Sequence, residues 1–516
     1  MRILYLDIDT LRPDHLGCYG YGRNTSPNIN AICEESIRFD NCYASDAPCL
    51  PSRSACWTGR FGIHTGVVNH GGLAADPIPM GKSRGFLENI SRLSFVSEMR
   101  LYGGMHTVTV SPFAERHQAW WFYAGFKEIF NPGRHGRERA DEVVPIALDW
   151  LDRNSKQDNW FLHVNVWDPH TRFRTPMEYG EPFADADAPD WLSEERIQHQ
   201  RAIYGPHGAC EVSGYKPDVR KDLPRDLVEI KNRKDYIQWI NGYDTGISYA
   251  EMWIGKIIDK LKGQGIYDDT VIIVSADHGE NHGELGVYGD HQTADRITCR
   301  VPYILRFPGI TDGGRTDHAL HYQADLSATV LELLGLKVPR EWDGVSFAQA
   351  LKAGEEKGRE EIIVSNMAWS CQRGVLWDNW LAIRTYHTGF KAFPRYMLFD
   401  IQTDPHETTN LARTRPEILA VGMQKLEKWT ADMLQNSPHS HDPLWTVMKE
   451  GGSLHANNYG RDFKEYINRL RLTGRDFYAD WLDENKGNPL PDGSPWAVAL
   501  EPGQQFLTEP FFRRVS

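Results

Sequence analysis

Three short apolar runs in this chain end in the same kind of residue. Ile3–Ile8 leads into Asp9, Trp160–Val166 ("WFLHVNV") into Asp168-Pro169-His170, and Val271–Ser275 ("VIIVS") into Asp277-His278-Gly279. Apolar runs of this length, bounded by acidic and turn residues, read as strands covered on both faces. Tyr236–Lys262 carries apolar residues at helical spacing and stops at Gly263, and Ile29–Glu35 is helical in character behind a Ser26-Pro27 start. Strand and helix alternate, which predicts an α/β fold with a large, mostly parallel mixed sheet flanked by helices. In such sheets the ligand site lies beyond the carboxyl ends of the strands. Asp9, His170 and Asp277 each follow a predicted strand end, so the topology collects them into one site.

A chain of 516 residues exceeds what one core ordinarily spans. The pattern changes near residue 380 to short strands, Trp380–Tyr386 and Tyr396–Asp400, which predict a smaller antiparallel C-terminal subdomain. The expected division is a catalytic domain at 1–378 and a subdomain with an extended tail at 379–516. The Pro- and Gly-rich tail after Glu484 is expected to wrap the body or a neighbour, which would give a homo-oligomer. Pro176–Arg233, polar and irregular, reads as an insertion over the rim of the site.

With 57 Lys and Arg against 70 Asp and Glu the net charge is −13, which argues against nucleic acid as a partner. An anionic substrate would need positive charge concentrated locally. Asp7 interrupts the first apolar run before a signal-peptide core can form, and no run is long enough to span a bilayer. The expectation is a cytoplasmic protein with no membrane partner and with its eight cysteines reduced. Five of these fall between Cys18 and Cys56 without a C-x-x-C spacing, which disfavours zinc.

One of the five, Cys49, sits in "APCLPSRSACWTG", framed by prolines and followed by Ser52-Arg53 and Thr58-Gly59. This motif resembles the signature of the formylglycine-dependent (type I) sulfatases of the alkaline phosphatase superfamily. Other segments match that family too: "LDIDTLRPDHLGCYGY", "DPHTRFRTP", "VIIVSADHGE", "RVPYILRFPG", "DLSATVLELLG" and "YMLFDIQTDPHETTNLA". The resemblance implies an alkaline-phosphatase-like fold and a sulfuric ester hydrolase acting on a small-molecule or saccharide sulfate ester. It also implies oxidation of Cys49 to formylglycine by a formylglycine-generating enzyme. The hydrated aldehyde would attack sulfur with one hydroxyl and expel sulfate through the other.

The resemblance assigns Asp9, Cys49, Asp277 and His278 to one divalent cation, Ca2+ by preference and Mn2+ as the alternative, since an imidazole joins the shell. Where the family often has two consecutive acids, Asp9 is followed by Thr10; Asp7, on the same strand face as Asp9, is either a support or a ligand. Arg53 would hold the formylglycine and offset sulfate charge. His170 would protonate the departing alcohol. His291 falls where many relatives carry a sulfate-binding lysine; counting forward from His278 gives Asp290 instead, but a carboxylate would repel sulfate. The family's Gly-Lys and His near 111–117 are absent, leaving Arg116, His117, His64 and His70 as candidates for that role. Arg134–Arg139 ("RHGRER") reads most simply as a solvated face, and more sharply as a contact for an acidic glycan. The alternative activity is that of a phosphonate monoester or phosphodiester hydrolase using the same nucleophile. A non-catalytic homologue is disfavoured by the intact Cys49, Arg53, Asp9 and Asp277.

Overall fold

Strand register brings the acidic residues level with one another. The computed structural model describes residues 1–490 except 80–92, 204, 312, 438, 440, 454, 456–460 and 486. In chain order the strands are β1 (Arg2–Ile8), β2 (Ile37–Tyr43), β3 (Asp46–Ala47), β4 (His106–Val110), β5 (Glu128–Phe130), β6 (Trp160–Val166) and β7 (Thr270–Ser275). There follow β8 (Asn281–His282), β9 (Tyr288–Asp290), β10 (Arg300–Arg306), β11 (Arg315–Tyr322), β12 (Glu361–Asn366), β13 (Cys371–Trp377), β14 (Trp380–His387) and β15 (Tyr396–Asp400). The main sheet has the order β11-β2-β10-β7-β1-β6-β4-β5. Every pairing is parallel except those of β10 with β2 and β7. This is the mostly parallel mixed sheet expected.

Central β1 lies between β7 and β6, and Asp7 pairs with Ser275 on one side and Asn165 on the other. Asp9 keeps that register, donating its N–H to the Val166 carbonyl at 2.9 Å. Every residue of β6 and β7 is buried, as their mostly apolar character favours. Helices Pro27–Glu34, Ala140–Asn154 and Arg233–Gly263 pack into one layer, and Cys49–Thr58, Phe95–Leu101 and Gln323–Leu333 into another. All ten residues of Cys49–Thr58 are buried. Among the described residues no helix is long and apolar enough to cross a membrane.

The smaller sheet, β15-β14-β13-β12-β3, is antiparallel apart from the β12–β3 pairing. Helix Pro416–Asn436 packs against its β13 and β14. The expected division at 378/379 cuts this sheet between β13 and β14, and its last strand, β3, comes from residues 46–47. The sheet is therefore not confined to the C-terminal part of the chain. Sequence alone hides this because β12 and β13 are almost wholly buried, like the central strands of the main sheet. Of the tail, Leu490 donates its N–H to the Phe393 carbonyl beside the small sheet; 491–516 lie outside the described residues.

Gly59 ends the helix that starts at Cys49, at φ +63°, and a Cβ there would stand 1.9 Å from the Trp342 ring. Gly59→Ala combines left-handed strain with overpacking against a rigid indole. The expected loss is about 2–4 kcal/mol of stability, measured as a lower denaturation midpoint.

Candidate active site

The two-residue strand β3 pairs with Ser365 and Asn366 of the small sheet and leads through Pro48 to Cys49, the first residue of the buried helix. The amino end of that helix, with its unpaired N–H groups, faces the carboxyl ends of β1 and β7 and favours negative charge there. Arg53 lies one turn on, so it shares a helix face with Cys49. Its guanidinium donates to Asp7 Oδ2 at 2.8 Å, to Asp9 Oδ2 at 3.2 Å and to Asp277 Oδ2 at 2.5 Å. The Phe113 ring lies 4.9 Å beneath it. Burial alone would push the Asp7 carboxyl up, but Arg53 and His163 outweigh it and set it at about 2. Asp7 is thus the support for Arg53 that strand alternation suggested.

Three buried carboxylates against one guanidinium leave excess negative charge. The remaining lone pairs converge. His278 Nδ1 is 2.8 Å from the Gly279 carbonyl, which can only accept, so Nε2 presents its lone pair. That Nε2 lies 3.2 Å from Cys49 Sγ and 3.3 Å from Asp277 Oδ2. Asp9 Oδ1 is buried and has no hydrogen-bond donor. Burial and then the neighbouring Asp277 drive the Asp9 carboxyl up, against Arg53. One donor atom from each of Asp9, Cys49, Asp277 and His278 lies within 4.8 Å of the others. Acceptors crowded in this way fit a divalent cation. Thr10, where a second acid was expected, donates its backbone N–H to Asp277 Oδ1 while its buried hydroxyl stays unpaired.

Cys49 opens into a cavity of about 240 Å³ lined also by His70, Arg116, His170, His207 and His291. The Thr171 carbonyl fixes the Nδ1 side of His170, whose Nε2 lies 3.9 Å from Asp9 Oδ1. The ring of His291 is 5.6 Å from that of His170 and 4.1 Å from that of His278. Asn366 of the small sheet donates to the His291 carbonyl. Burial, then His278, push His291 down, so it enters the cavity as a neutral imidazole and not as the cation a lysine would be. Asp290 also lines the cavity and pairs with His207 at 2.9 Å.

The four candidates for the role near 111–117 differ in position. Arg116 lines the cavity without a carboxylate partner among the described residues, its guanidinium 4.7 Å over the Trp167 ring. His117 lies behind, its ring against Phe113 and His70. His64 is held by Asp343 at 2.8 Å and the Met433 carbonyl, away from the cavity. His70 reaches the cavity and meets His455 at 3.0 Å. Sequence reasoning missed His455 and His207. The first lies in the C-terminal part, stacked on Trp369, and the second in the insertion at 176–233. Nothing local marks either one.

A cysteine nucleophile requires a depressed thiol pKa. Cys49 is the reverse: burial, Asp9 and Asp277 drive its thiol well up. Unmodified, it is a thiol disfavoured as a thiolate by burial and by the carboxylates beside it.

The sheet, the carboxylates at its strand ends and the helix-borne Cys49 define a metal-dependent hydrolase of alkaline-phosphatase-like fold. The sulfatase family model matches residues 2–336, and the model of the N-sulphoglucosamine sulphohydrolase C-terminal region matches 283–432. The chain belongs to the sulfatase family, whose members generally use formylglycine and a divalent metal. It is 26% identical over 433 residues to a choline-sulfatase of Rhizobium meliloti, covering 75% of this chain and 77% of that protein. It is 21% identical to an N-acetylglucosamine-6-O-sulfatase of Bacteroides thetaiotaomicron, covering 87% and 89%. In fold it resembles an enzyme solved with its substrate D-glucosamine-2-N,6-O-disulfate (TM-score 0.65, 18% identity, 85% of this chain and 99% of that one). It also resembles the phosphonate monoester hydrolase of Agrobacterium radiobacter (TM-score 0.63, 19% identity, 84% and 96%).

Arg53→Ala leaves Asp7, Asp9 and Asp277 buried without their counter-charge. The expected cost is about 3–5 kcal/mol in chelator-treated protein. Denaturation with and without added divalent cation should show partial recovery when the cation is present.

Proposed function

We propose that this sulfatase hydrolyses the sulfate monoester of a saccharide, with the residue at position 49 acting as formylglycine. The observation that carries the reading is the convergence of Asp9, Asp277 and His278 on the amino end of the helix that holds Cys49 and Arg53. The sulfated sugars in the names of relatives support a saccharide substrate. Oxidation of Cys49 and hydration of the aldehyde would supply a hydroxyl nucleophile and the second hydroxyl through which sulfate is expelled. A cation at Asp9, Asp277, His278 and residue 49, calcium by preference and manganese as competitor, would supply Lewis-acid polarisation and lower the pKa of that hydroxyl.

The chain's own residues do the rest. Arg53 bridges the carboxylates of Asp7, Asp9 and Asp277 and adds its charge to those that face the ester oxygens. Arg116 takes the charge role of the missing lysine, and neutral His291 offers a hydrogen bond. The Thr171 carbonyl aims His170 Nε2 into the cavity, where it delivers a proton to the leaving oxygen. Cys49 is 1% exposed in the folded protein. The modifying enzyme, a partner this reading entails, must therefore meet the motif before the chain folds.

The test of the class is a comparison of kcat/KM for matched aryl sulfate and aryl phosphonate esters, with mass analysis of the peptide carrying residue 49. Sulfate should be preferred and the thiol lost. A phosphonate preference would move the assignment to the phosphonate and phosphodiester hydrolases, and full activity with an intact thiol would remove formylglycine from the mechanism.

His170→Ala should slow esters of poor leaving groups far more than nitrophenyl sulfate, by about 10²–10⁴-fold at the alkyl end. Plotted against leaving-group pKa, log kcat/KM should fall more steeply in the variant. A uniform loss would make His170 a sulfate-binding group.

A further inference from the structure

Arg134–Arg139, the basic run that the catalytic site does not use, is not simply a solvated face. Arg134, Arg137 and Arg139 line an open cleft of about 360 Å³ together with Arg174 and Arg220. The lining holds five arginines and two carboxylates, Glu178 and Asp222, with Asp141, Glu142, Asp168 and Asp226 also acting on these arginines, in a chain whose net charge is −13. Three of the five have ion pairs: Arg134 with Glu142, Arg139 with Asp141 and Arg220 with Asp222. Arg137 and Arg174 make no hydrogen bond or ion pair among the described residues. Arg137 is exposed, whereas Arg174 is partly buried. Burial pushes the Arg174 guanidinium down from its usual range, against the pull of Asp168. A desolvated guanidinium without a bound acceptor is placed to receive one.

The cleft and the catalytic cavity are lined by consecutive residues of the same segments. Thr171 and Arg172 line the cavity at Cys49, while Phe173, Arg174 and Thr175 line the cleft. From the insertion, Asp226 belongs to the cavity and Arg220, Leu223 and Pro224 to the cleft. Arg174 is electrostatically in reach of His170 and Arg116 on one side and Arg137 on the other.

We propose that this cleft is a subsite for a second anionic group, sulfate or carboxylate, on the substrate. The enzyme then acts on polyanionic oligosaccharides, with the scissile sulfate at residue 49 and the next charge along the chain at Arg174 and Arg137. This rests on the sulfate-ester reading above. A guanidinium–anion contact in a partly buried cleft gives about a tenfold gain in affinity, and salt weakens it.

The experiment uses the whole modified enzyme with 4-nitrophenyl sulfate and three oligosaccharides: one monosulfated and neutral elsewhere, one with a second sulfate, and one with a carboxylate instead. Wild type should show a lower KM for the two dianionic substrates, an advantage that sodium chloride erodes. Arg137→Ala and Arg174→Gln should raise KM for those two by about tenfold each. Arg137→Ala, an exposed change that spares folding, should leave 4-nitrophenyl sulfate turnover unaltered. A response to one dianionic substrate alone identifies which group the cleft reads. Equal KM for mono- and dianionic substrates in wild type, or unchanged KM in both variants, overturns the subsite and leaves the sulfatase reading intact. If no sulfate ester is hydrolysed, both fail together.

Discussion

The guanidinium of Arg53 stands alone against the three buried carboxylates of Asp7, Asp9 and Asp277, and the architecture of the site follows from that imbalance. Like charges at such separations repel strongly in a protein interior, so neither the sheet nor the helix could present these groups without compensation. Arg53 supplies part of it from a helix whose every residue is buried and whose amino end points the same way. A divalent cation would supply the rest at the unpaired Asp9 oxygen and the His278 lone pair. Burial, with the same field added to it, holds the Cys49 thiol well above its usual range.

The small sheet contributes to this arrangement more than its position in the chain suggests. Its edge strand β3 leads into Cys49, and Asn366 of β12 holds the His291 backbone. The C-terminal part also sends His455 against His70. Two sheets therefore share one site, with the metal-type ligands at the strand ends of the first and the placement of the nucleophile and His291 depending on the second. A cut at 378/379 would part β13 from its partner β14 within the second sheet.

Charge around the cavity is arranged in the same economical way. Burial keeps the histidines His170, His278 and His291 toward their neutral forms, so fixed positive charge falls to Arg53 and Arg116, with Arg174 beyond. An anionic ester would thus enter a site whose cations cannot be titrated away near neutral pH.

Strand ends, the Cys49–Arg53 spacing and the shared face of Asp7 and Asp9 were legible because each depends on local periodicity, two residues to a strand repeat and about four to a helical turn. The sulfatase family was legible for the same reason, its motifs being short and contiguous. Other features depend on contacts across hundreds of residues: the choice of Arg116 over His117, the retirement of His64 to an ion pair with Asp343, and the arrival of His207 and His455. So do the membership of β3 in the small sheet and the meeting of Arg134–Arg139 with Arg174 and Arg220. The sequence determined which chemistry the strand ends carry, because side-chain alternation and helical pitch are properties of a few consecutive residues. Tertiary structure alone decided which cations face that chemistry, because packing, and not spacing along the chain, sets their distances.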